Sequence, residues 1–156
     1  METNQAVIHE TIENLRLAQP VFVEQHVSLH DAIQLMQNKK VGCLPVCKDL
    51  HLVGIFTERD VLFRILNNDS VDYQTPIREW MTPDPMHAHA HYSIQNVIEL
   101  MASEGIRHVP VVDKNGHLKA VVSALDIVDF LVQYHPDHVF NLPPNLKQVH
   151  QTVEGG

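Results

Sequence analysis

Two short stretches decide the fold, Val41-Gly-Cys-Leu-Pro-Val-Cys47 and Ile106-Arg-His-Val-Pro-Val-Val112. Each is an apolar run rich in β-branched residues and is followed by turn chemistry, Lys48-Asp49 in one and Asp113-Lys-Asn-Gly116 in the other. Each therefore reads as a strand entering a hairpin, with Leu52 to Phe56 and Leu118 to Val122 as the returning strands. The two stretches are also copies. A shift of 65 residues lays Ser28, Ile33, Leu35, Met36, Pro45 and Val46 on Ser93, Ile98, Leu100, Met101, Pro110 and Val111. One further residue of shift, absorbed in the turn, lays Leu52, Thr57 and Asp60 on Leu118, Ser123 and Asp126. A self-match at fixed offset means a duplicated supersecondary unit.

Outward from the hairpins, the period changes in the same order in both copies. Leu29, Ala32, Ile33 and Met36, like Ile94, Val97, Ile98 and Met101, recur at the spacing of one helix face, with Ser28 and Ser93 as caps. A second helix follows each hairpin, its buried side carrying Val61, Leu62 and Ile65 or Ile127, Val128 and Leu131. Pro20 to Val23 and Pro85 to Ala88 supply a short leading strand, so the unit is β-α-β-β-α. The predicted class is α+β, sandwich-like, with two tandem units packed about a pseudo-two-fold axis. The expected organisation is an N-terminal amphipathic helix over 1–15, repeat one over 16–67, and a linker over 68–80 whose Thr75-Pro76 starts a short helix. Repeat two covers 81–133, and an irregular tail covers 134–156.

Composition narrows the function. Nineteen acidic against 11 basic residues leave a net charge of -8 over 156 residues, which disfavours nucleic acid and anionic membranes as partners. No segment reaches the roughly 18 apolar residues of a membrane span, and no secretory leader is legible, so a cytoplasmic protein is expected. Cys43 and Cys47 lie too far apart along a strand to be bridged and read as small buried hydrophobes. Glycine-rich phosphate loops, a zinc-protease helix and a serine-nucleophile elbow are all absent, so no catalysis is expected.

The polar signature of the copies is Thr57-Glu-Arg-Asp60 and Ser123-Ala-Leu-Asp126. At a strand-to-helix junction it is a near-relative of the capping box, and equally a seat for a phosphate at a helix N-terminus. The doubled order resembles the CBS domain pair, or Bateman module, named for cystathionine β-synthase. The resemblance runs over residues 16 to 132, through Val41-Gly-Cys-Leu-Pro-Val46 with Gly54-Ile-Phe-Thr-Glu-Arg-Asp-Val61. Ile106-Arg-His-Val-Pro-Val-Val112 with Val121-Val-Ser-Ala-Leu-Asp-Ile127 carries it in the second copy, and Met81-Thr-Pro-Asp-Pro85 leads in.

The resemblance implies a regulatory module that binds an adenosine nucleotide such as AMP, ADP or ATP, requires no cofactor, forms a homodimer and reports to an effector protein. It implies that Asp60 and Asp126 accept the ribose hydroxyls while Thr57 and Ser123 turn to ribose or phosphate. Adenine would lie near Val41 and Leu44, or Ile106 and Val109, with Pro45 and Pro110 shaping the cleft. Arg107 and His108, standing where the first copy has Gly42 and Cys43, would reach the ligand of Asp60, and Arg59 that of Asp126. A structural docking module without a ligand is the alternative. Metal sensing is a third reading: His87, His89 and His91 alternate as ligands on one strand face would, and His135 and His138 flank Asp137.

Overall fold

A computed structural model of the chain describes residues 7–134. Each repeat places a short leading strand parallel to the first arm of an antiparallel hairpin. In repeat one, β1 (Val23–Glu24) pairs with β2 (Cys43–Lys48), which pairs with β3 (His51–Thr57). A fourth strand, β4 (Thr82–Pro83), adds to the far edge of β3. In repeat two, β5 (Ala88–His89), β6 (His108–Val112) and β7 (Leu118–Ser123) repeat the order. Both hairpins slip register at the same place, after Val46 and after Val111. The leading strands begin three residues later than the prolines suggest, and β4 has no sequence signal of its own.

Helices α1 (Leu29–Lys39) and α3 (Ile94–Glu104) start where the serines predict. Ser28 Oγ accepts the Asp31 N–H at 3.1 Å and Ser93 Oγ accepts that of Asn96 at 3.1 Å. Both helices end on a left-handed residue, Lys40 at φ 55° and Gly105 at φ 64°. Leu29, Ala32 and Met36 face one core, and Ile94, Val97 and Met101 the other. Ile98, expected on that face, is 40% exposed, because the stripe is narrower than the apolar sequence.

The second helices differ. In repeat two, α4 (Ala124–Tyr134) is regular, whereas in repeat one α2 (Glu58–Asp60) widens at once into a π turn over Val61–Ile65. Of the residues expected on their buried sides, Ile65 and Ile127 are buried, but Leu62 and Val128 stand out in solvent. Phe130 fills the place instead.

The upstream segments are exchanged between repeats. Ile12 N–H donates to the Tyr92 carbonyl (2.9 Å) and Ile94 N–H to that of Glu10 (2.8 Å), which lays residues 10–12 beside repeat two. At the same offset, Leu29 N–H donates to Thr75 and Ile77 N–H to Val27, laying 75–77 beside repeat one. Ile12 and Ile77 each open a single 3-10 turn, over Ile12–Asn14 and Ile77–Glu79, and each is buried in the core of the other repeat. The helix expected over 1–15 is thus replaced, in its described part beyond Ile8, by a bridge at Thr11 and this turn. In the linker, Pro76 caps the turn from outside instead of starting it. The expected irregular tail lies outside the described residues apart from Tyr134, which ends α4.

Gly54 is where the linker crosses the sheet. A Cβ there would run into the Met81 side chain, meeting Sδ and Cγ well inside contact distance and Cβ at 3.1 Å, so that side chain must give way along its whole length. Gly54→Ala is expected to cost about 1–3 kcal/mol, the range for overpacking. Much of that cost is expected to return in a Met81→Ala background, a coupling readable from urea denaturation of the four chains.

Candidate functional site

The strand-to-helix junctions are built alike. Asp60 Oδ2 accepts the Thr57 N–H at 2.8 Å and the Thr57 hydroxyl at 3.0 Å. Asp126 Oδ2 accepts the Ser123 N–H at 2.7 Å and its hydroxyl at 2.8 Å, and Ser123 Oγ in return accepts the Asp126 N–H at 3.1 Å. The capping box is therefore real in both copies, and it holds one carboxylate oxygen while the other remains for a further donor. In repeat one Arg64 Nη1 reaches that second oxygen at 3.4 Å while also donating to the Trp80 carbonyl. No such partner meets Asp126 Oδ1 among the described residues. Phe130 occupies the position of Arg64 in the copy.

Each aspartate opens on a cleft made by both repeats. A cavity of about 290 Å³ brings Thr57, Asp60, Arg59 and Ile55 of repeat one to Ile106, Arg107 and His108, with Pro85 and Met86 on its floor. Its counterpart, about 300 Å³, brings Ser123, Asp126 and Val121 of repeat two to Val41, Gly42 and Cys43, with Pro20 and Val21. Between them lies an open space of about 610 Å³ bounded by Glu58, Arg59, Arg107, His108, Ser123 and Leu125. Position by position, the two clefts are pseudo-two-fold mates.

Of the predicted residues, Thr57, Asp60, Ile106, Arg107 and His108 meet in one cleft and Val41, Gly42, Ser123 and Asp126 in the other. Arg59 lines the Asp60 cleft and the central space, not the Asp126 cleft, because it stands beside Asp60 on the first turn. Leu44, Pro45, Val109 and Pro110 line neither. All four are buried, and Leu44 and Val109 point into the cores with no exposed surface, since alternate residues of a strand face opposite ways and their neighbours Cys43 and His108 take the cleft side.

Residues the sequence reading missed have a common signal, the pseudo-two-fold copy of something already named. Ile55 and Val121 pair in this way, as do Pro85-Met86 and Pro20-Val21. Lys40 is the most consequential, for it lines the Asp126 cleft at the place where the other cleft has Gly105. The left-handed backbone both adopt suits glycine and costs a lysine about 1 kcal/mol. Each cleft thus has a cation of its own repeat partner, Arg107 in one and Lys40 in the other.

His108 is half-buried. Desolvation, and then the Arg107 charge, push its pKa below the ordinary histidine value, against the opposing pull of Glu58 and Asp126. The Cys43 thiol, in the wall of the Asp126 cleft, is pushed up to about 12 by burial and by Asp60, and burial with Glu24 pushes Cys47 up to about 11. Neither is a nucleophile at neutral pH.

The histidine row does not assemble a metal site. His87 Nδ1 and His89 Nδ1 bond to the carbonyls of Pro85 (3.1 Å) and Val112 (3.2 Å), because β5 ends at His89 and the alternation stops there. Among the described residues no three His, Cys, Asp or Glu side chains converge closely enough to hold a metal ion. His135 and His138 lie outside the described residues. No helix among those described is long and apolar enough to cross a membrane.

The sequence profile of the CBS domain matches residues 12–67 and 77–133. The chain belongs to the CBS domain family and carries two copies of the domain. It is 29% identical over 117 residues to the CBS domain-containing protein YhcV of Bacillus subtilis, a match covering 75% of this chain and 82% of that one. Among solved structures it is similar to CBSX2 in complex with AMP, at 24% identity and a TM-score of 0.71, covering 80% of this chain and 98% of that one. It is also similar to the CBS domain pair of protein MJ0100 in complex with 5′-methylthioadenosine and S-adenosyl-L-methionine, at 24% identity and a TM-score of 0.68, covering 80% and 97%. These two likenesses concern the fold.

The caps give a direct prediction. Thr57→Ala and Ser123→Ala each delete a hydroxyl that Asp Oδ2 accepts, and each is expected to lower stability by about 1 kcal/mol in urea denaturation. Equal stability of both variants and the parent would show that the hydroxyls do not hold the junctions.

Proposed function

We propose that the chain is a regulatory module that binds adenosine nucleotides of the AMP, ADP or ATP kind in the two cross-repeat clefts and signals their presence to an effector protein. The observation that carries this reading is the matched pair of clefts. Each presents an anchored carboxylate, an apolar wall and one or more cations on facing sides of a space of nucleoside size. The second oxygen of each aspartate, bonded to Arg64 in repeat one and without a donor among the described residues in repeat two, suits the vicinal hydroxyls of a ribose. Ile55 with Ile106, or Val121 with Val41, suits the faces of a purine, whose burial is worth a few kcal/mol. The AMP, 5′-methylthioadenosine and S-adenosylmethionine held by the two solved relatives support the adenosyl class.

The clefts are not equal. The Asp60 cleft has Arg59, Arg107 and His108 for phosphate oxygens, against one further carboxylate on its lining, Glu104. The Asp126 cleft has Lys40 and His108, while the Glu58 carboxylate overhangs Gly42, where a Cβ would lie 2.5 Å from Glu58 Oε1. Longer phosphate chains therefore suit the first cleft, and nucleosides or monophosphates the second. Ligand binding across the repeat boundary favours one arrangement of the repeats over another, and that shift is what an effector reads. Exposed Leu62, Phe63, Leu125 and Val128 on the second helices support a second copy as the assembly partner, in the cytoplasm, with no cofactor and no chemical step.

Calorimetry with AMP, ADP, ATP, NAD and S-adenosylmethionine tests the reading. Two sites are expected, one lost in Asp60→Ala and the other in Asp126→Ala. Lys40→Gly is expected to keep or raise stability while weakening AMP at the remaining site of Asp60→Ala about tenfold, the loss of one charge-assisted hydrogen bond. Unchanged stoichiometry in both aspartate variants contradicts the assignment, and no heat from any compound at millimolar concentration favours a docking module.

A further inference from the structure

Among the described residues, His108 alone opens on all three spaces between the repeats, the Asp60 cleft, the central space and the Asp126 cleft. Its position is fixed by the ladder. As the first residue of β6 it pairs with Ser123, and the Arg107 carbonyl just before it accepts the Ala124 N–H at 2.9 Å. The backbone of His108 is thus tied to the cap of the Asp126 cleft, while the residue lines both clefts. Its copy in repeat one, Cys43, lines the Asp126 cleft only and carries a thiol that stays neutral. One histidine lines both clefts, and no second does so among the described residues.

We propose that His108 is a shared ligand contact that couples the two clefts, so that a phosphate-bearing nucleotide in one weakens binding in the other. The inference rests on reading the clefts as nucleotide sites. An imidazole has one orientation and one protonation state at a time. In the free protein, burial and Arg107 hold the ring towards its neutral form. The other charges around it are Glu58, Arg59 and Asp60 from the start of α2, Lys40 from the end of α1, Glu104 from the end of α3 and Asp126 from α4. A phosphate arriving beside the ring adds negative charge to that set and favours the imidazolium, so the first nucleotide brings a proton with it. The second phosphate then meets a ring already turned to the first. Coupling of this kind is reciprocal, whichever cleft fills first.

AMP calorimetry on the full chain at pH 7, in buffers of different ionisation heat, tests this with the parent, Asp60→Ala, Asp126→Ala, His108→Ala and His108→Asn. In the parent, the second AMP is expected to bind at least about fivefold more weakly than the same cleft does when measured alone in the aspartate variants. Proton uptake is expected with the first AMP. Both His108 variants, of which His108→Asn preserves a polar group of similar size, are expected to lose the uptake and to bring the ratio to about one. Retention of the ratio and the uptake in the His108 variants, or two independent sites in the parent, overturns the coupling and leaves the clefts standing. Absence of AMP binding in every chain, or stoichiometry unmoved by the aspartate variants, overturns both readings together.

Discussion

A single carboxylate oxygen fixes the point on which the rest of this molecule turns. Oδ2 of Asp60 or Asp126 gathers the amide and hydroxyl of the residue three before it, ending a strand and starting a helix in one step. Because one oxygen is committed to the fold, the other is held at a set position on the lining of a cleft, with Arg64 beside it in repeat one. In the proposed site the structural and functional roles of the motif are one arrangement, in which the cap supplies the rigidity that a ribose contact requires.

The second constraint is exchange. Ile12 completes the core of repeat two and Ile77 that of repeat one, so neither repeat closes on its own upstream segment. The hairpin tips are joined as well, with His51 bridged to His117 and the Leu52 and Leu118 amides donating across. Two repeats tied at these places present facing clefts at a defined separation. Within that frame the two copies differ at matched positions, and several of the differences at the clefts change charge. Arg107 stands against Gly42, Lys40 against Gly105, His108 against Cys43, Arg64 against Phe130.

Much of this was legible in the sequence because a duplicated pattern is read twice. The hairpins, both serine caps and the Thr/Ser-Asp junctions follow from period and turn chemistry, and the class and family follow from their order. The cleft walls were only half legible. Strand alternation decides that Leu44 and Val109 face inward while Val41 and Ile106 face the cleft, but an all-apolar run hides the alternation. Lys40 was hidden for another reason: as the last residue of a helix it reads as a favourable cation at the dipole's negative end. Its place in a cleft follows only from the contact between repeats. The exchanged segments share few identities beyond Ile12 with Ile77 and Pro20 with Pro85, too sparse a match to extend the repeat upstream. The π turn after Asp60 left no local mark at all.

On the proposed reading each pinned aspartate holds a ribose across the repeat boundary. A crystal structure of the chain grown with AMP tests it most directly. Ribose hydroxyls within hydrogen-bonding distance of Asp60 or Asp126, with the purine between the paired apolar residues of the two repeats, are the predicted result. AMP ordered elsewhere on the surface, with both clefts filled only by solvent, would contradict it.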